Sequence, residues 1–294
     1  MPVDEINDMA QCNQADGTTL CNIQADPNDG HLYCSTHSNN TNIVGKLYAT
    51  STGNNFGTEN TTYNANSGLR EPANLSDSTY GDKANSSKIE GWTSTLYQEE
   101  YNKMIKSVAQ YGGFYVGRYE MSLNSKTKNA ESKYGAISSN ASDADTNQWY
   151  GLYNKAKTYA PEKNSDNTEN ASQKVVSSMI WGSQYDAMLK WMKGNGIDVT
   201  DRSPTDLSIG TTSRNTTRLT GGANSGQTVS KDKLSNIYDV LANSREWTQE
   251  ASITDSRVYR GGYYNLSNAP SLRSDNVPTS TLSGSGSRLT LYIK

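Results

Sequence analysis

Few side chains in this sequence are of the types that carry redox catalysis or bind transition metals. The cysteines are Cys12, Cys21 and Cys34, and the two histidines, His31 and His37, lie in the same N-terminal stretch. No CxxC pair occurs among them, so the spacing is not typical of a structural zinc site. Two interpretations stay open: one disulfide with a spare thiol, as in an exported protein, or three buried thiols, as in a cytosolic one.

A second set of reactive side chains lies near the C-terminus, where Asp239 precedes the adjacent pair Arg245 and Glu246. A carboxylate beside a guanidinium could serve acid–base chemistry. The alternative is structural, with Glu246 and Trp247 supporting the core, and it is the one we favour.

Residues 252–293 are distinguished by the residue types that they lack. They contain no Lys, Glu, Gln, Met or Trp, where the composition of the whole chain predicts about seven. Ser, Asn, Thr, Gly and Tyr are prominent among the types that remain. These types favour a contact surface over a catalytic pocket, because Tyr offers large rigid contacts and Ser, Gly and Asn offer adaptable ones.

The composition of the 294 residues limits the class of protein. Apolar residues make up 33%, which is low, whereas 19% charged residues and a net charge of −3 are ordinary. Because disorder usually combines low hydrophobicity with high net charge, the 19 Tyr and 5 Trp indicate a folded, loop-rich protein. A pI near 5.5 without basic runs argues against a nucleic-acid partner.

The sequence predicts neither a membrane span nor a signal peptide. No apolar run approaches the roughly 18 residues that a span requires. Met1, Pro2 and Val3 lead directly into polar sequence. Any anchor is therefore expected to lie outside this chain.

Hydrophobic periodicity predicts two main helices. The first starts at a capping box formed by residues 95–98 and ends at Gly112 and Gly113. Its apolar face consists of Tyr97, Tyr101, Met104, Ile105, Val108 and Tyr111.

The second predicted helix has Ser183 as its N-cap, Asp186 at the third helical position and Gly194 as its stop. Its apolar stripe consists of Tyr185, Met188, Leu189 and Met192. We interpret both stripes as core packing.

Short strands are predicted at 43–48, 114–119, Arg257–Arg260 and 289–293. Polar loops are predicted over most of 1–90 and over 122–172 and 194–234. Two helices, short antiparallel strands and long loops indicate an α+β fold, which we expect to form a single domain over 1–294.

Several pieces of the chain resemble, in order, the formylglycine-generating enzyme (sulfatase-modifying factor) domain, a large variant of the C-type lectin fold. Pro2-Val3 resembles its opening strand, GGFYVGRYE its early strand, SSMIWGSQYDAMLKWM its second helix and NIYDVLANSREWT its NVYDLAGNVWEWT motif. RVYRGG, followed by Pro270 and Arg273, resembles the RGGSW block, and the terminal GSRLTLYIK resembles the closing strand. Together the pieces span almost the whole chain, and the resemblance implies that fold.

The resemblance does not imply the family's chemistry. Its oxidases hold copper with two cysteines in the C-terminal half, and here no cysteine lies beyond Cys34. Its iron-dependent sulfoxide synthases need a histidine cluster that two early histidines cannot supply. We therefore expect no catalytic residues and no enzyme activity.

The family also binds calcium through carbonyls and the side chains of an Asn and a Glu. Asn243 and Glu246 match those positions, while Ala242 replaces the usual Gly. Oxygen ligands of this kind suit calcium, which is the one candidate cofactor that the resemblance implies.

The tail resembles a second branch of this fold, the variable proteins of diversity-generating retroelements. In these, a reverse transcriptase rewrites the 3′ end of the gene at template adenines only. Asn codons of the AAY type then become codons for Tyr, Ser, Asp, Leu, Val, Gly, Ala and similar residues. They cannot become codons for Lys, Glu, Gln, Met or Trp, the set missing from residues 252–293.

The resemblance divides this tail into two groups of residues. The frame residues, which the fold needs, are Arg257, Arg260, Gly261, Gly262, Pro270, Arg273, Pro278, Gly286, Ser287 and Arg288. The display positions, which we expect to contact a ligand, are Asp255, Ser256, Tyr259, Tyr263, Leu266, Ala269, Leu272, Ser274, Asp275, Val277, Leu282 and Ser285. They alternate with frame residues, as expected for side chains held on one face of a rigid scaffold.

Individual residues of the two groups carry further expectations. Tyr259 and Tyr263 are the strongest contact candidates. The alternative role for Leu266, Leu272 and Leu282 is to fill the interior. We expect Arg260, Arg273 and Arg288 to be buried and to donate hydrogen bonds to loop carbonyls.

The resemblance thus implies a non-catalytic protein on a bacterial or phage surface, with 239–294 as its variable region. Its expected partner is a protein or glycan on another cell or host surface. An undiversified adhesin or structural domain of the same fold is the first alternative, and a formylglycine-generating oxidase is the second.

Overall fold

The structure is a computed structural model. It describes residues 1–3, 5–13, 20–26, 28, 32–34, 43–45, 94–123, 130–131, 149–161, 168, 170–197, 233–234, 236–241, 244–251, 256–261, 269–278, 280, 282 and 285–294.

The described residues contain three α-helices and one short 3-10 turn, Ile6–Asp8. The helices are α1 (Ser94–Tyr111), α2 (Trp149–Tyr159) and α3 (Gly182–Gly194). The prediction of two main helices is therefore wrong, because α2 lies where a polar loop was expected. Its buried side chains recur at helical spacing and are Trp149, Tyr150, Leu152, Tyr153 and Ala156.

Helix α1 has the predicted apolar face but a different start. It begins at Ser94, and the Gln98 amide donates to the carbonyl of Ile43 at 2.9 Å. The side chain of Thr95, the other half of the predicted capping box, lies outside the described residues. The face is buried except for Tyr111, which is 47% exposed. Gly112 ends the helix in a left-handed conformation, with φ +71°, which glycine adopts at little cost.

Helix α3 starts two residues earlier than predicted. Trp181 occupies the N-cap position, and its backbone N–H donates to Oε1 of Gln184 at 3.1 Å. Ser183 therefore lies inside the first turn, where its hydroxyl is hydrogen-bonded to that of Tyr101 at 3.0 Å. The predicted apolar stripe is buried, and the helix ends at Gly194 as expected.

The strands confirm the mixed α and β content. In chain order they are β1 (Ala10–Asn13), β2 (Leu20–Cys21), β3 (Ile23–Ala25), β4 (Leu32–Cys34), β5 (Ile43–Gly45), β6 (Tyr115–Leu123), β7 (Ala130–Glu131), β8 (Val175–Met179), β9 (Lys233–Leu234), β10 (Ile237–Tyr238), β11 (Arg245–Ala251), β12 (Arg257–Arg260), β13 (Arg273–Asn276) and β14 (Ser285–Ile293). The prediction at β12 is confirmed residue for residue, and the other three predicted strands overlap β5, β6 and β14. The expected opening strand is reduced to a single bridge between Pro2 and Gly113.

The largest sheet is built around β14. Its strand order is β13-β12-β11-β14-β6-β7, and β8 also pairs with β14. Strand β14 is antiparallel to β6 and β8 but parallel to β11, so the expectation of antiparallel strands fails at that one pair. The smaller sheets are β2-β1-β5, β3-β4 and β9-β10. In the first of them, Cys12 lies opposite Cys21.

Helices cover both faces of this sheet. On one face, which we call the α2 face, Trp247 and Met179 pack with the buried residues of α2. On the other face, Tyr292 packs with the buried side of α1, and the Thr290 hydroxyl lies 3.1 Å from Oε1 of Gln184 in α3. Among the described helices, none has the length and apolar character that crossing a membrane requires.

Candidate ligand-binding surface

The frame arginines are buried, as the sequence predicts. Arg260 and Arg288 are 0% exposed and Arg273 is 4% exposed. Arg260 donates to the carbonyl of Pro270 at 3.3 Å, and Arg288 donates to the carbonyls of Gly117 and Tyr238 at 3.0 and 2.9 Å. The predicted hydrogen bond to a loop carbonyl is thus confirmed for Arg260, whereas the carbonyls bound by Arg288 lie in strands β6 and β10.

The arginines also form ion pairs that the sequence analysis did not predict. Arg260 lies 2.5 Å from Asp186 on α3, and Arg273 binds the same carboxylate. The Nε atom of Arg273 lies 2.9 and 3.1 Å from the two carboxylate oxygens of Glu250 on β11. Two cations and two anions thus balance one another in a buried environment, where an unpaired charge would be costly. We call these four residues the first network, and it joins α3 to β11, β12 and β13.

A second network lies on β11 and β14. The guanidinium of Arg288 binds both carboxylate oxygens of Glu246, with Nε 3.1 Å from Oε2. Burial raises the pKa of the Glu246 carboxyl, and the positive charge of Arg288 opposes that rise. Burial alone would lower the pKa of Arg288, but the ion pair with Glu246 outweighs this and raises it. The raised pKa of Arg288 favours its charged form, whereas the raised pKa of Glu246 favours the neutral carboxyl, which the charge of Arg288 only partly offsets.

Glu246, one of the two predicted calcium ligands, is paired with Arg288 in this structure. Both of its carboxylate oxygens accept hydrogen bonds from the guanidinium, whose positive charge already balances that of the carboxylate. Asn243 lies outside the described residues. Within the described part of the chain, no group of three or more His, Cys, Asp or Glu side chains is placed to hold a metal ion. The structural interpretation of Glu246 and Trp247 is confirmed, since both are buried.

The display positions differ widely in exposure. Asp255, Tyr263 and Leu266 lie outside the described residues. The exposed positions are Asp275 and Val277, and the half-buried ones are Tyr259, Ala269, Leu272, Ser274 and Leu282. Ser256 and Ser285 are buried, at 8% and 1% exposure.

Tyr259 and Ser274 lie opposite each other on β12 and β13, on the α2 face. The ring of Tyr259 meets that of Trp247 edge to face, with 5.3 Å between centroids. The guanidinium of Arg245 lies 5.2 Å from the Tyr259 centroid. Tyr259 is thus fixed by packing while part of it reaches solvent, as suits a rigid aromatic contact.

Three expectations about the display positions need correction. Ser285 pairs with Arg245 in the sheet interior, and with Ser256 it is too deeply buried to be displayed. Leu282 packs against the apolar cluster that contains Trp247, which is the interior role the sequence left open. The positions also do not share one face. Side chains alternate along a strand, so Asp275 lies on the face opposite to that of its neighbour Ser274.

The structure also forms a cluster that the sequence analysis did not predict. The guanidinium of Arg118 lies 5.9 and 5.7 Å from the ring centroids of Tyr119 and Tyr238. The sequence assigns Arg118 and Tyr119 only to the predicted strand over 114–119. The signal that could have indicated the cluster is the polar–aromatic pair that these two residues form at the end of that strand.

Comparison with known proteins adds little to this description. No family model and no curated protein matches the chain. The crystal structure of CarF matches with a TM-score of 0.25 and 18% identity, over 46% of this chain and 54% of CarF. The match spans about half the length of CarF, and at this TM-score it assigns neither a fold nor a function.

Proposed function

We propose that this chain is a non-catalytic ligand-binding protein of the C-type lectin fold, in the formylglycine-generating-enzyme variety. In this proposal 1–294 form one domain, and residues 239–294 are its variable region, diversified by a retroelement. The protein acts at a bacterial or phage surface, where it recognises a protein or glycan on another cell.

One observation carries the proposal: three frame arginines of the tail are buried, whereas two of its display positions are exposed. Arg260, Arg273 and Arg288 are buried and ion-paired, whereas Asp275 and Val277 between them reach the surface. A scaffold that is fixed by buried pairs can vary its exposed residues without losing its fold. The absence of Lys, Glu, Gln, Met and Trp from 252–293 fits variation that starts from Asn codons.

The nucleotide sequence around the gene tests the diversification. We expect a near-copy of the 3′ end of the gene close by, differing from it only at adenines, together with a reverse transcriptase gene. A neighbourhood with neither would refute retroelement diversification. Sibling genes that vary evenly over the whole surface would instead support the undiversified adhesin.

A display library tests ligand binding on the protein itself. Tyr259, Ser274, Asp275 and Val277 would be randomised together, and the library selected for binding to a fixed probe protein such as lysozyme. We expect folded binders whose affinity is lost when the selected residues revert. A matched library at four exposed positions of α1 should give no binders; these are Lys103, Lys106, Ala109 and Gln110.

Metal reconstitution tests the non-catalytic part of the proposal. We expect no stoichiometric copper or iron after incubation of the full chain with either metal. We also expect no oxygen consumption with a thiol-containing peptide. Turnover with stoichiometric metal would show an oxidase instead.

A further inference from the structure

The regular pairing of β6 with β14 is interrupted between Val116 and Glu120 of β6. Val116 lies opposite Thr290 and Glu120 lies opposite Arg288, so four steps along β6 match two steps along β14. The extra residues form a bulge in the sheet. Bulges of this kind bend a strand and redirect its side chains. Here the bulge includes Arg118, whose side chain is exposed.

The guanidinium of Arg118 is held in place by aromatic rings. The rings of Tyr119 and Tyr238 stack with 5.1 Å between centroids, and the guanidinium lies 5.9 and 5.7 Å from their centroids. Its Nη2 atom also lies 3.5 Å from Oδ1 of Asn236, a residue in the left-handed region with φ 65°. Cation–π contacts and a preset geometry reduce the entropy that the side chain would lose on binding.

Arg118 differs from three of the frame arginines in its charge balance. Arg260, Arg273 and Arg288 each have a carboxylate partner. Among the described residues, no carboxylate lies within ion-pair distance of Arg118. Arg and Tyr are the residues that most often dominate protein contacts.

We propose that the surface formed by Arg118, Tyr119 and Tyr238, which we call the β6 surface, binds a carboxylate side chain of a partner protein. The guanidinium presents paired N–H groups whose spacing matches the two oxygens of a carboxylate. The stacked tyrosines provide the flat apolar surroundings in which such a pair is strengthened.

The β6 surface is separate from the proposed display positions. Strands β11 and β14 lie between β6 and the β12–β13 pair in the sheet. The inference therefore does not depend on the proposed function. A chain with both surfaces could bind one partner through β12 and β13 and a second, acidic partner through β6.

Two blocked hexapeptides test this binding, one carrying three Glu residues and the other Gln at the same positions. Each would be titrated into the full chain while the Nε–Hε signal of Arg118 is followed by NMR, assigned from its loss in Arg118→Gln. We expect a saturable shift with the Glu peptide and about tenfold weaker binding of the Gln peptide. No saturable shift with the Glu peptide would overturn the proposal.

Three variants distinguish binding at the β6 surface from a general effect of the protein's net charge. Arg118→Gln should remove the preference for Glu, whereas Lys106→Gln, which removes an exposed charge from α1, should leave it unchanged. Tyr119→Leu keeps the charge but removes the stacked ring, and we expect it to weaken binding about threefold. Equal effects of Arg118→Gln and Lys106→Gln would contradict the proposal. So would tighter binding of inorganic phosphate than of the Glu peptide.

Discussion

Two buried tyrosine hydroxyls differ in their hydrogen bonding, and we expect them to have opposite effects on the free energy of unfolding. Tyr101 and Tyr185 are both 0% exposed. The hydroxyl of Tyr101 is hydrogen-bonded to that of Ser183 at 3.0 Å. The hydroxyl of Tyr185 has no hydrogen-bond partner among the described residues. Among the described residues, the second hydroxyl therefore gains no hydrogen bond to offset the hydration that it loses on folding.

Tyr185→Phe should consequently leave the free energy of unfolding unchanged or raise it by up to about 1 kcal/mol. Tyr101→Phe removes a satisfied hydrogen bond and should lower it by about 1 kcal/mol. Urea unfolding of the two variants, which remove the same atom from the same residue type, measures both changes. Equal losses in the two variants would contradict the partner assignment.

The raised pKa of Tyr153 predicts how the free energy of unfolding changes at alkaline pH. Burial raises the pKa of its phenol, and the nearby Glu100 carboxylate, which accepts a hydrogen bond from it at 2.8 Å, raises it further. The folded state therefore keeps a proton that the unfolded state loses near pH 10, so stability falls as pH rises above about 10. One such proton changes the free energy of unfolding by up to about 1.4 kcal/mol per pH unit.

Tyr153→Phe removes this proton but keeps the ring that stacks on Trp149. Urea unfolding between pH 8 and about 11 should show a shallower alkaline loss in the variant than in the wild type. Below about pH 9 the two curves should run parallel, because the phenol is then protonated in both states. Parallel curves throughout would show that Tyr153 titrates normally.

At the scale of elements, buried ion pairs join strands that are distant in sequence. Glu246 and Arg288 connect β11 to β14 at the parallel pair, and Arg288 also donates to one carbonyl in β6 and one in β10. Removing one partner leaves the other charged and buried, which is far more costly than losing the pair itself.

Arg288→Met and Glu246→Leu should each lower the free energy of unfolding by about 3–5 kcal/mol. The double variant should lose less than the sum of the two, by at least about 2 kcal/mol, because it leaves neither charge unpaired. A cycle of four urea unfolding curves measures this difference. Additive losses would mean that the two side chains are not coupled.

The buried ion pairs also explain why two strands could not be predicted from the sequence, whereas two helices could. Helices α1 and α3 each carry an apolar stripe with a glycine at the end, so local periodicity was sufficient. Strand β11 reads REWTQEA and buries Glu246 and Glu250, and its burial depends on arginines from later in the chain. Strand β13, RSDN, carries no apolar alternation at all. No local pattern could have predicted these two strands.

At the scale of the whole molecule, the site could be predicted only in part. Residue types identified Arg260, Arg273 and Arg288 as buried and Asp275 and Val277 as exposed. They could not separate Ser285 from Ser274, because the burial of a serine depends on its place in the sheet rather than on its own chemistry. The Arg118 cluster was missed because β10 and β6, which meet there, lie more than a hundred residues apart.

The division between frame and display also predicts where the molecule tolerates change. Ser274, Asp275 and Val277 lie on or just after β13, at the edge of the sheet as described, and all are at least partly exposed. A triple variant, Ser274→Asn with Asp275→Ser and Val277→Thr, should change the free energy of unfolding by about 1 kcal/mol or less. Surface substitutions remove few contacts, whereas the backbone pairing of β13 with β12 is retained.

Arg273→Ser, between the same two strands, is the matched control. It leaves Asp186 and Glu250 with one guanidinium, Arg260, for two buried carboxylates, and should cost about 3–5 kcal/mol. Thermal and urea unfolding of both variants test the contrast. A triple variant as unstable as Arg273→Ser would mean that the exposed residues of β13 also hold the fold, and a region of that kind could not vary freely.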